Sequence, residues 1–437
     1  MILIKNAKTL GKYLGSKDEL TEVHCSVKDG KINELSQTPL DEGSFKEVID
    51  AKGCFLSPGL VDPQVHFREP GMEYKEDIES GSKTAAQGGF TAVVSMPNTA
   101  PTADSKEVVK MMWDKQKEVG LCRVYPTGAL SFGLKGEKIT NFKELKEAGA
   151  VAITDDGKGV QKDEVFLEAM RQAFELGLPI LDHSEDESLS LGGAIHKGAV
   201  SEKHGVKGID PDSESEHVRR GCEMSEKTGA HYHVLHISTK KSIDYVRAAK
   251  RNGLNVTAEV SPHHLLLCDE DIPEREDGTL DANWKMNPPL RSKKDREACV
   301  AALLDGTIDA VATDHAPHAP HEKDAHIEKA PFGIIGLETA FPLIYTYFVH
   351  NNKMSLERCV ELMSEKAAAL FKLPHGKLAT GELADVALFD LENQYVVDKE
   401  QFASKSKNSP FIGRKLFGRA KLTMLEGKIV FQNMEIS

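Results

Sequence analysis

The sequence lacks the features that mark a disulfide-bonded or a nucleic-acid-binding protein. Its seven cysteines are an odd number, are irregularly spaced and form no C-x-x-C motif, which indicates the reduced thiols of a cytoplasmic protein. No basic stripe is present, and the net charge of -13 argues against nucleic acid as the main partner, since nothing neutralises its phosphates. A small-molecule substrate remains open, because a local basic pocket can lie inside an acidic protein.

Long apolar runs are also missing. No stretch approaches the roughly 20 apolar residues of a membrane-spanning helix, and the apolar run at Met1–Ile4 is too short for a signal peptide. We therefore expect a cytoplasmic protein with no membrane attachment. A chain of 437 residues, 40% apolar and 28% charged, is long enough for one large α/β domain and a smaller companion.

What the sequence does contain is a strict alternation of short apolar runs with helical stretches. The predicted strands are Leu56–His66, Phe90–Met96, Cys122–Thr127, Val151–Thr154, Pro179–His183, Tyr232–His236, Asn255–Glu259 and Asp309–Asp314. The predicted helices are Ser80–Gln87, Lys106–Glu118, Asp163–Leu176, Ser213–Thr228, Lys240–Asn252, Lys293–Asp305 and Leu337–Phe348. This alternation implies a parallel sheet, and eight strands close a (β/α)8 barrel. The alternative is an open doubly wound sheet, which normally has a glycine-rich phosphate loop after its first strand; none occurs between Gly53 and Gly71.

Both ends of the chain are rich in β structure. Strand-like runs occur at Ile2–Ile4 near the start and at Asp385–Asp390 near the end. We predict one small composite β domain, a β-sandwich built from residues 1–55 and 375–437, beside a barrel domain of residues 56–374. Separate hairpins at each end are the alternative, although a sheet needs three or more strands for stability.

Residue types that bind metals follow five of the predicted barrel strands. Because active sites of such barrels lie at the carboxyl ends of the strands, we expect these side chains to meet at one face. Imidazole nitrogen and carboxylate oxygen are ligands that suit zinc. Any one of these histidines alone would be more typical of a structural role, but their coincidence predicts a metal centre. The candidate ligands are His66, Asp156, His183, His236 and Asp314.

Five longer motifs resemble those of one known family. They are Val65-His66-Phe67-Arg68-Glu69-Pro70-Gly71, Ser95-Met96-Pro97-Asn98-Thr99, Asn287-Pro288-Pro289-Leu290-Arg291, Ala312-Thr313-Asp314-His315-Ala316-Pro317-His318 and Pro331-Phe332-Gly333-Ile334-Ile335-Gly336-Leu337-Glu338-Thr339. Their order and spacing over nearly the whole chain are similar to those of dihydroorotases, in the amidohydrolase superfamily. The segment Asp155-Asp156-Gly157 resembles the class I bacterial-type branch, in which aspartate replaces a carboxylated lysine. The resemblance implies a zinc-containing (β/α)8 barrel that reversibly cyclises N-carbamoyl-L-aspartate to L-dihydroorotate in pyrimidine (UMP) biosynthesis.

The resemblance also implies a role for each matched residue. Asp156 would bridge two metals, with His183 and His236 on one side and His66 and Asp314 on the other. Asp314 would also be catalytic, since a carboxylate beside the attacking water can accept its proton and pass it to the leaving nitrogen. The implied substrate-binding residues are Arg68, Asn98, Asn287 and His318.

Two of these assignments have structural alternatives. Arg68 can bind a substrate carboxylate with two parallel hydrogen bonds, but it could instead form a surface ion pair with the adjacent Glu69. Asn287 would contact the edge of the pyrimidine ring, but Asn-Pro is also an ordinary start of a turn.

One residue departs from the family pattern. The family usually has His-x-His after the first strand, whereas this chain has Gln64-Val65-His66. An amide oxygen is a weaker zinc ligand than imidazole, so we predict one tightly bound zinc and a second that is weak or absent. The alternatives are a catalytically impaired subunit with a scaffolding role and another cyclic amidase of the hydantoinase or allantoinase type.

The remaining expectations concern the substrate, the protein partners and one loop. The substrate is expected to be a small molecule. A homodimer and association with another pyrimidine-pathway enzyme are further expectations. The polar loop of residues 316–330 is long for a connection after a barrel strand. We therefore predict that it is mobile in the empty site and closes over bound ligand.

Overall fold

The computed structural model describes residues 1–433, and its centre is a barrel of eight parallel strands. The barrel strands are Leu60–Val65, Phe90–Ser95, Arg123–Pro126, Ile153–Thr154, Ile180–Asp182, Tyr232–Val234, Val256–Val260 and Ala310–Val311, with Gly128–Ala129 as a short continuation of the third. Each predicted strand coincides with one of these, so the predicted barrel is confirmed. Most residues of these strands are buried because both faces are covered, by the barrel interior and by the surrounding helices.

The first and last strands meet through the segments that carry the candidate ligands. The backbone N–H of His66 donates to the carbonyl oxygen of His315 at 2.8 Å. The fully buried carboxyl group of Asp62 accepts the N–H of Thr313 at 3.1 Å, and burial raises the pKa of Asp62 to about 7. Asp62 therefore joins the barrel ends and holds His66 beside the segment of Asp314.

Six helices around the barrel follow the predicted stretches closely. They are Ile78–Gln87, Lys106–Val119, Asp163–Leu176, Asp212–Thr228, Lys240–Arg251 and Lys293–Asp305. A further helix, Phe142–Glu147, is not among the predicted ones. After the last strand come Ala340–Ile344, Leu356–Val360 and Lys366–Leu370, with wider π turns at Tyr345–Val349 and Glu361–Glu365. The predicted helix at residues 337–348 therefore begins later and changes its winding. The first helix shows how the sequence sets an end: the Asp77 side chain accepts the N–H of Ser80, a capping box.

A second sheet combines strands from both ends of the chain. Its strands are Ile2–Leu10, Leu20–Lys28, Lys31–Ser36, Glu47–Asp50, Phe55–Pro58, Val386–Asp390, Arg419–Leu425 and Lys428–Gln432. Phe55–Pro58 from the start pairs antiparallel with Val386–Asp390 from the end, so separate hairpins are the wrong alternative. The boundaries of the two predicted domains stay predictions, and residues 434–437 of the predicted β domain lie outside the described residues.

The predicted strand at residues 56–66 is two strands, which belong to different sheets. Gly59 separates them, and a Cβ atom at Gly59 would lie 2.1 Å from Oγ1 of Thr91. Only glycine allows the chain to pass this close to the second barrel strand while it leaves the terminal sheet.

Several short elements had no sequence prediction. They are the helices Glu187–Ser190, Ala199–His204, Pro262–Leu266 and Pro320–Lys323, the 3-10 turns Gly11–Leu14, Glu42–Ser44, Phe132–Leu134, Asp269–Asp271, Ala282–Trp284 and Lys399–Gln401, and the strand pairs Ile195–His196 with Gly208–Ile209 and Tyr395–Val396 with Lys415–Leu416. Elements of two to six residues are too short to show a hydrophobic period. Within residues 1–433, no helix combines the length and the apolar character needed to cross a membrane.

Candidate metal centre and substrate cavity

The carboxyl ends of the barrel strands surround a cavity of about 330 Å³. Its walls include all nine residues that the sequence proposed as ligands or substrate contacts: His66, Arg68, Asn98, Asp156, His183, His236, Asn287, Asp314 and His318. Gly157, Ala316 and the segment of residues 331–333 complete the lining. The fold thus gathers at one face residues that are separated by up to 252 positions in the chain, from 66 to 318.

Three of the cavity residues adopt backbone angles that side chains rarely take. The φ angles are +63° at Arg68, +30° at His236 and +50° at Asp314. None of the three is glycine, so each costs conformational energy of order 1–3 kcal/mol. Backbone strain of this kind is concentrated at functional sites, and here it occurs where the chain leaves a strand and turns into the cavity.

Asp156, His183 and His236 form a compact set of potential metal ligands. In the part of the chain that the structure describes, they are the one such set whose three ligand atoms lie within 4.8 Å of one another. His183 Nδ1 lies 3.0 Å from His236 Nε2 and 3.4 Å from Asp156 Oδ1. All three side chains are buried, and burying charged and polar groups is costly unless they are paired or bind a cation. Two imidazoles and a carboxylate, with room for water, fit a catalytic zinc ion.

Two of the candidate ligand histidines, His183 and His66, are oriented by oxygen atoms on their other side. His183 Nε2 lies 3.1 Å from Oε2 of Glu185, and His66 Nδ1 lies 2.9 Å from Oδ1 of Asn98. Because these oxygens accept hydrogen bonds, they place the ring proton on that nitrogen and leave the opposite nitrogen free for a metal. The sequence prediction missed Glu185, for which the only signal was its position two residues after His183.

The second potential metal position is built differently. His66 Nε2 lies 3.0 Å from Asp314 Oδ1 and 3.3 Å from Asp156 Oδ2. Gln64 is fully buried, and its amide N–H donates to Asp156 Oδ2 at 3.0 Å, while its own oxygen has no hydrogen-bond partner among the described residues 1–433. A donor on Asp156 Oδ2 competes with a cation for that oxygen.

Arg68 is a buried cation with no carboxylate partner within residues 1–433. Its side chain donates to the carbonyl oxygen of Pro317 at 3.3 Å and lies 3.4 Å from His318 Nε2. Burial lowers its pKa to about 10, so it stays charged at neutral pH. The alternative of a surface ion pair with Glu69 is wrong, because Arg68 is buried and Glu69 Oε2 instead accepts the N–H of Ile78 at 2.8 Å. A buried guanidinium at a cavity wall is a receptor for an anion.

Asn287 lies on the opposite wall and is tied to the metal cluster. Its Nδ2 donates to Glu185 Oε2 at 2.8 Å and lies 3.2 Å from His183 Nε2. The Asn-Pro sequence therefore does more than start a turn here, because the side chain reaches into the cavity that the sequence predicted for it.

The loop of residues 316–330 forms the rim of the cavity and is held at several points. The buried Lys323 Nζ donates to the carbonyl oxygens of Lys285, Pro331 and Gly333 at 3.1, 2.9 and 2.9 Å. Ile327 is fully buried in the same loop. These contacts favour a fixed wall over the predicted lid, since opening would leave a buried ammonium group without its three acceptors.

The fold and this centre are those of a known class of enzyme. The structure superposes on that of an L-hydantoinase (dihydropyrimidinase) from Arthrobacter aurescens with a TM-score of 0.83, at 27% sequence identity, over 100% of this chain and 97% of that chain. A D-hydantoinase also gives a TM-score of 0.83, at 24% identity over 98% of this chain and 95% of that chain, and supports the fold. The molecule is therefore a cyclic amidohydrolase, a hydrolase acting on C–N bonds of cyclic amides.

Sequence comparison narrows this class to one family. A family model described as Dihydro-orotase-like matches residues 53–242. A dihydroorotase of Brevibacillus brevis is 51% identical over 425 residues, which cover 97% of this chain and 98% of that protein. A dihydroorotase of Bacillus subtilis is 49% identical over 430 residues, 98% of both chains. This chain belongs to the dihydroorotase family.

Proposed function

We propose that this chain catalyses the reversible conversion of N-carbamoyl-L-aspartate to L-dihydroorotate in pyrimidine biosynthesis. The observation that carries the proposal is the pairing of two sites in one cavity: the Asp156–His183–His236 cluster and the unpaired guanidinium of Arg68. A cyclic amide that bears a carboxylate can engage both at once. An amide without a carboxylate would leave Arg68 buried and without an anion.

Asp156, His183 and His236 would hold a zinc ion. Such an ion lowers the pKa of a bound water to about 7 and polarises an amide carbonyl. Glu185 and Asn98 keep the two imidazoles of His183 and His66 in the tautomers that present a free nitrogen to the centre.

Asp314 is the proposed acid–base residue. Its carboxylate lines the cavity and lies 3.0 Å from His66 Nε2. In hydrolysis, it accepts a proton as the water oxygen forms a bond to the ring carbonyl carbon, and it returns that proton to the ring nitrogen as the C–N bond breaks. In cyclisation, it takes the proton from the carbamoyl nitrogen, so one carboxylate serves both directions.

The substrate is held at its other end by Arg68. The planar guanidinium can donate two parallel hydrogen bonds to a carboxylate, which fixes the ring with its amide towards the metal cluster. Asn98 supports the same wall: its oxygen is used by His66, whereas its Nδ2 has no partner among residues 1–433 and lies beside Gly157. His318 and Asn287 complete the proposed substrate contacts.

We further propose one tightly bound zinc ion per chain and a weak or absent second ion. The complete ligand set at Asp156, His183 and His236 supports the tightly bound ion. The hydrogen bond from Gln64 to Asp156 Oδ2 supports the weak or absent binding of a second ion. Gln64 is also the one feature that favours a catalytically impaired, scaffolding subunit. A cytoplasmic location, a homodimer and association with another pyrimidine-pathway enzyme stay predictions from the sequence.

The purified chain, incubated with L-dihydroorotate, tests the proposal. We expect ring opening that is lost after treatment with a zinc chelator and restored by added zinc. Hydantoin and 5,6-dihydrouracil, which lack the ring carboxylate, should be hydrolysed far more slowly. Equal or faster turnover of either would assign another cyclic amidase activity, and no turnover of any of the three by zinc-loaded protein would favour the scaffolding role.

A further inference from the structure

Behind the wall that carries Arg68 lies a second buried cation, Lys75, which does not itself line the cavity. Its Nζ forms an ion pair with Glu322 Oε1 at 2.9 Å and lies 3.4 Å from His318 Nδ1. Lys75 therefore connects the loop after the first barrel strand to the loop after the last one. It reaches the cavity only through the imidazole of His318.

The contacts of His318 define which ring nitrogen carries the proton. Its Nε2 lies 2.8 Å from the carbonyl oxygen of Phe332, which can only accept, so Nε2 carries the hydrogen. Nδ1 is then the acceptor, and the ammonium group of Lys75, which can only donate, supplies its hydrogen bond. Burial, followed by the charges of Arg68, Lys75 and Lys323, lowers the pKa of His318 to about 2, so the ring is neutral.

Another acceptor competes for the same nitrogen. Glu322 Oε2 lies 3.5 Å from His318 Nδ1. Without the ammonium group between them, this carboxylate would compete with the carbonyl oxygen of Phe332 for the ring proton, and a proton on Nδ1 would leave a lone pair on Nε2. Nε2 lies 3.4 Å from Nη2 of Arg68, so that lone pair would accept a hydrogen bond from the guanidinium and take the donor away from the substrate carboxylate.

We propose that Lys75 is a positioning residue for the dihydroorotase reaction: it holds His318 in the Nε2–H tautomer, so that the ring takes no hydrogen bond from Arg68 and the guanidinium keeps its donors for the substrate carboxylate. This inference rests on the proposed function, in which Arg68 receives that carboxylate. Lys75 touches neither the substrate nor the metal ligands, so it should affect the binding of substrate and leave the chemical step unchanged.

Steady-state kinetics of L-dihydroorotate hydrolysis by the zinc-loaded, full-length chain test the proposal. Lys75→Met should raise KM about tenfold, the effect of losing one hydrogen bond to a charged group, with kcat within about threefold of wild type. Lys75→Arg keeps the charge and the donors and should restore KM to within about threefold. Nitrogen NMR of His318, assigned with His318→Gln, should show the Nε2–H tautomer in wild type and a shift towards Nδ1–H in Lys75→Met.

A matched control separates positioning from stability. Lys250 also pairs with a carboxylate, Asp309, but at the opposite end of the barrel strands, so Lys250→Met should lower Tm without changing KM. If Lys75→Met leaves KM within about twofold, or lowers kcat and Tm together as a general loss of structure would, the role of Lys75 is refuted. Failure of the proposed carboxylate site is distinguishable, because Arg68→Lys would then also leave KM unchanged.

Discussion

The two carboxylate oxygens of Asp156 face different sets of side chains. On one side, His183 and His236 complete a compact set with Asp156 Oδ1. On the other side, His66 Nε2 lies near both Asp314 Oδ1 and Asp156 Oδ2, and Gln64 donates a hydrogen bond to that same oxygen of Asp156. An imidazole at position 64 would offer a nitrogen lone pair to a cation, whereas the amide N–H of Gln64 occupies a lone pair of Asp156 Oδ2. A single residue thus separates a complete ligand set from an incomplete one.

The largest effect should come from removing the carboxylate of Asp314, which lies on the side of Asp156 with the incomplete ligand set. If Asp314 acts mainly as the acid–base group, Asp314→Ala should lower kcat by about 10²–10⁴-fold, the usual contribution of such a group. Tm should change little, because the backbone of residues 313–315 holds the barrel closed through Asp62 and His66. Activity within about tenfold of wild type would show that another group moves the proton. Asp277→Ala, at an exposed loop, is the control.

A second substitution tests whether the anion receptor is independent of the metal centre. Arg68→Lys keeps the charge but loses the planar pair of donors, so kcat/KM should fall about 10–100-fold, mainly through KM. Zinc content after dialysis should equal that of wild type. An unchanged kcat/KM would place the substrate carboxylate elsewhere in the cavity.

The third prediction concerns the ligand set of Asp156, His183 and His236. Glu185→Gln weakens the acceptor that fixes the tautomer of His183, and such outer contacts typically contribute about 10–100-fold to metal affinity. We expect weaker zinc binding by competition with a chelator, whereas Glu187→Gln, on the exposed helix two residues further, should bind zinc as wild type does. Equal zinc affinity of the two variants would remove Glu185 from the metal centre.

The smallest effect concerns the loop of residues 316–330 at the rim of the cavity. Because Lys323 donates to three carbonyl oxygens and Ile327 is buried, amide hydrogen exchange near these residues should be slow in the ligand-free chain and change little when substrate binds. Fast exchange that slows strongly on binding would support the lid that the sequence suggested.

Much of this architecture could be predicted from the chain because the signals are local. Apolar runs rich in β-branched residues indicated the barrel strands, and the site residues follow those strands directly, as with His183 after Ile180–Asp182. The contacts that tune the site are not local. Lys75 and Lys323 contact residues on other loops, and no periodicity marks a partner that lies 243 positions away, as His318 does from Lys75. Glu185 lies only two residues after His183, but no motif marks it.

The split of the predicted first strand shows the same limit. Only Gly59 separates the two observed strands, so the sequence predicts one strand from Leu56 to His66, but a tertiary contact between Gly59 and Thr91 divides it between two sheets. Likewise, the sequence identified Gln64 as the departure from the family pattern, but only the geometry showed that its amide donates to Asp156 Oδ2.

The most direct test of the difference between the two sides is the zinc content of wild type and Gln64→His after exhaustive dialysis. Replacing the amide by imidazole should supply the missing ligand and remove the competing donor. We expect wild type to retain about one zinc ion per chain, the number its single complete ligand set supports, and Gln64→His to approach about two. Two tightly held ions in wild type would contradict the account, since Gln64 or another residue would then replace the histidine adequately.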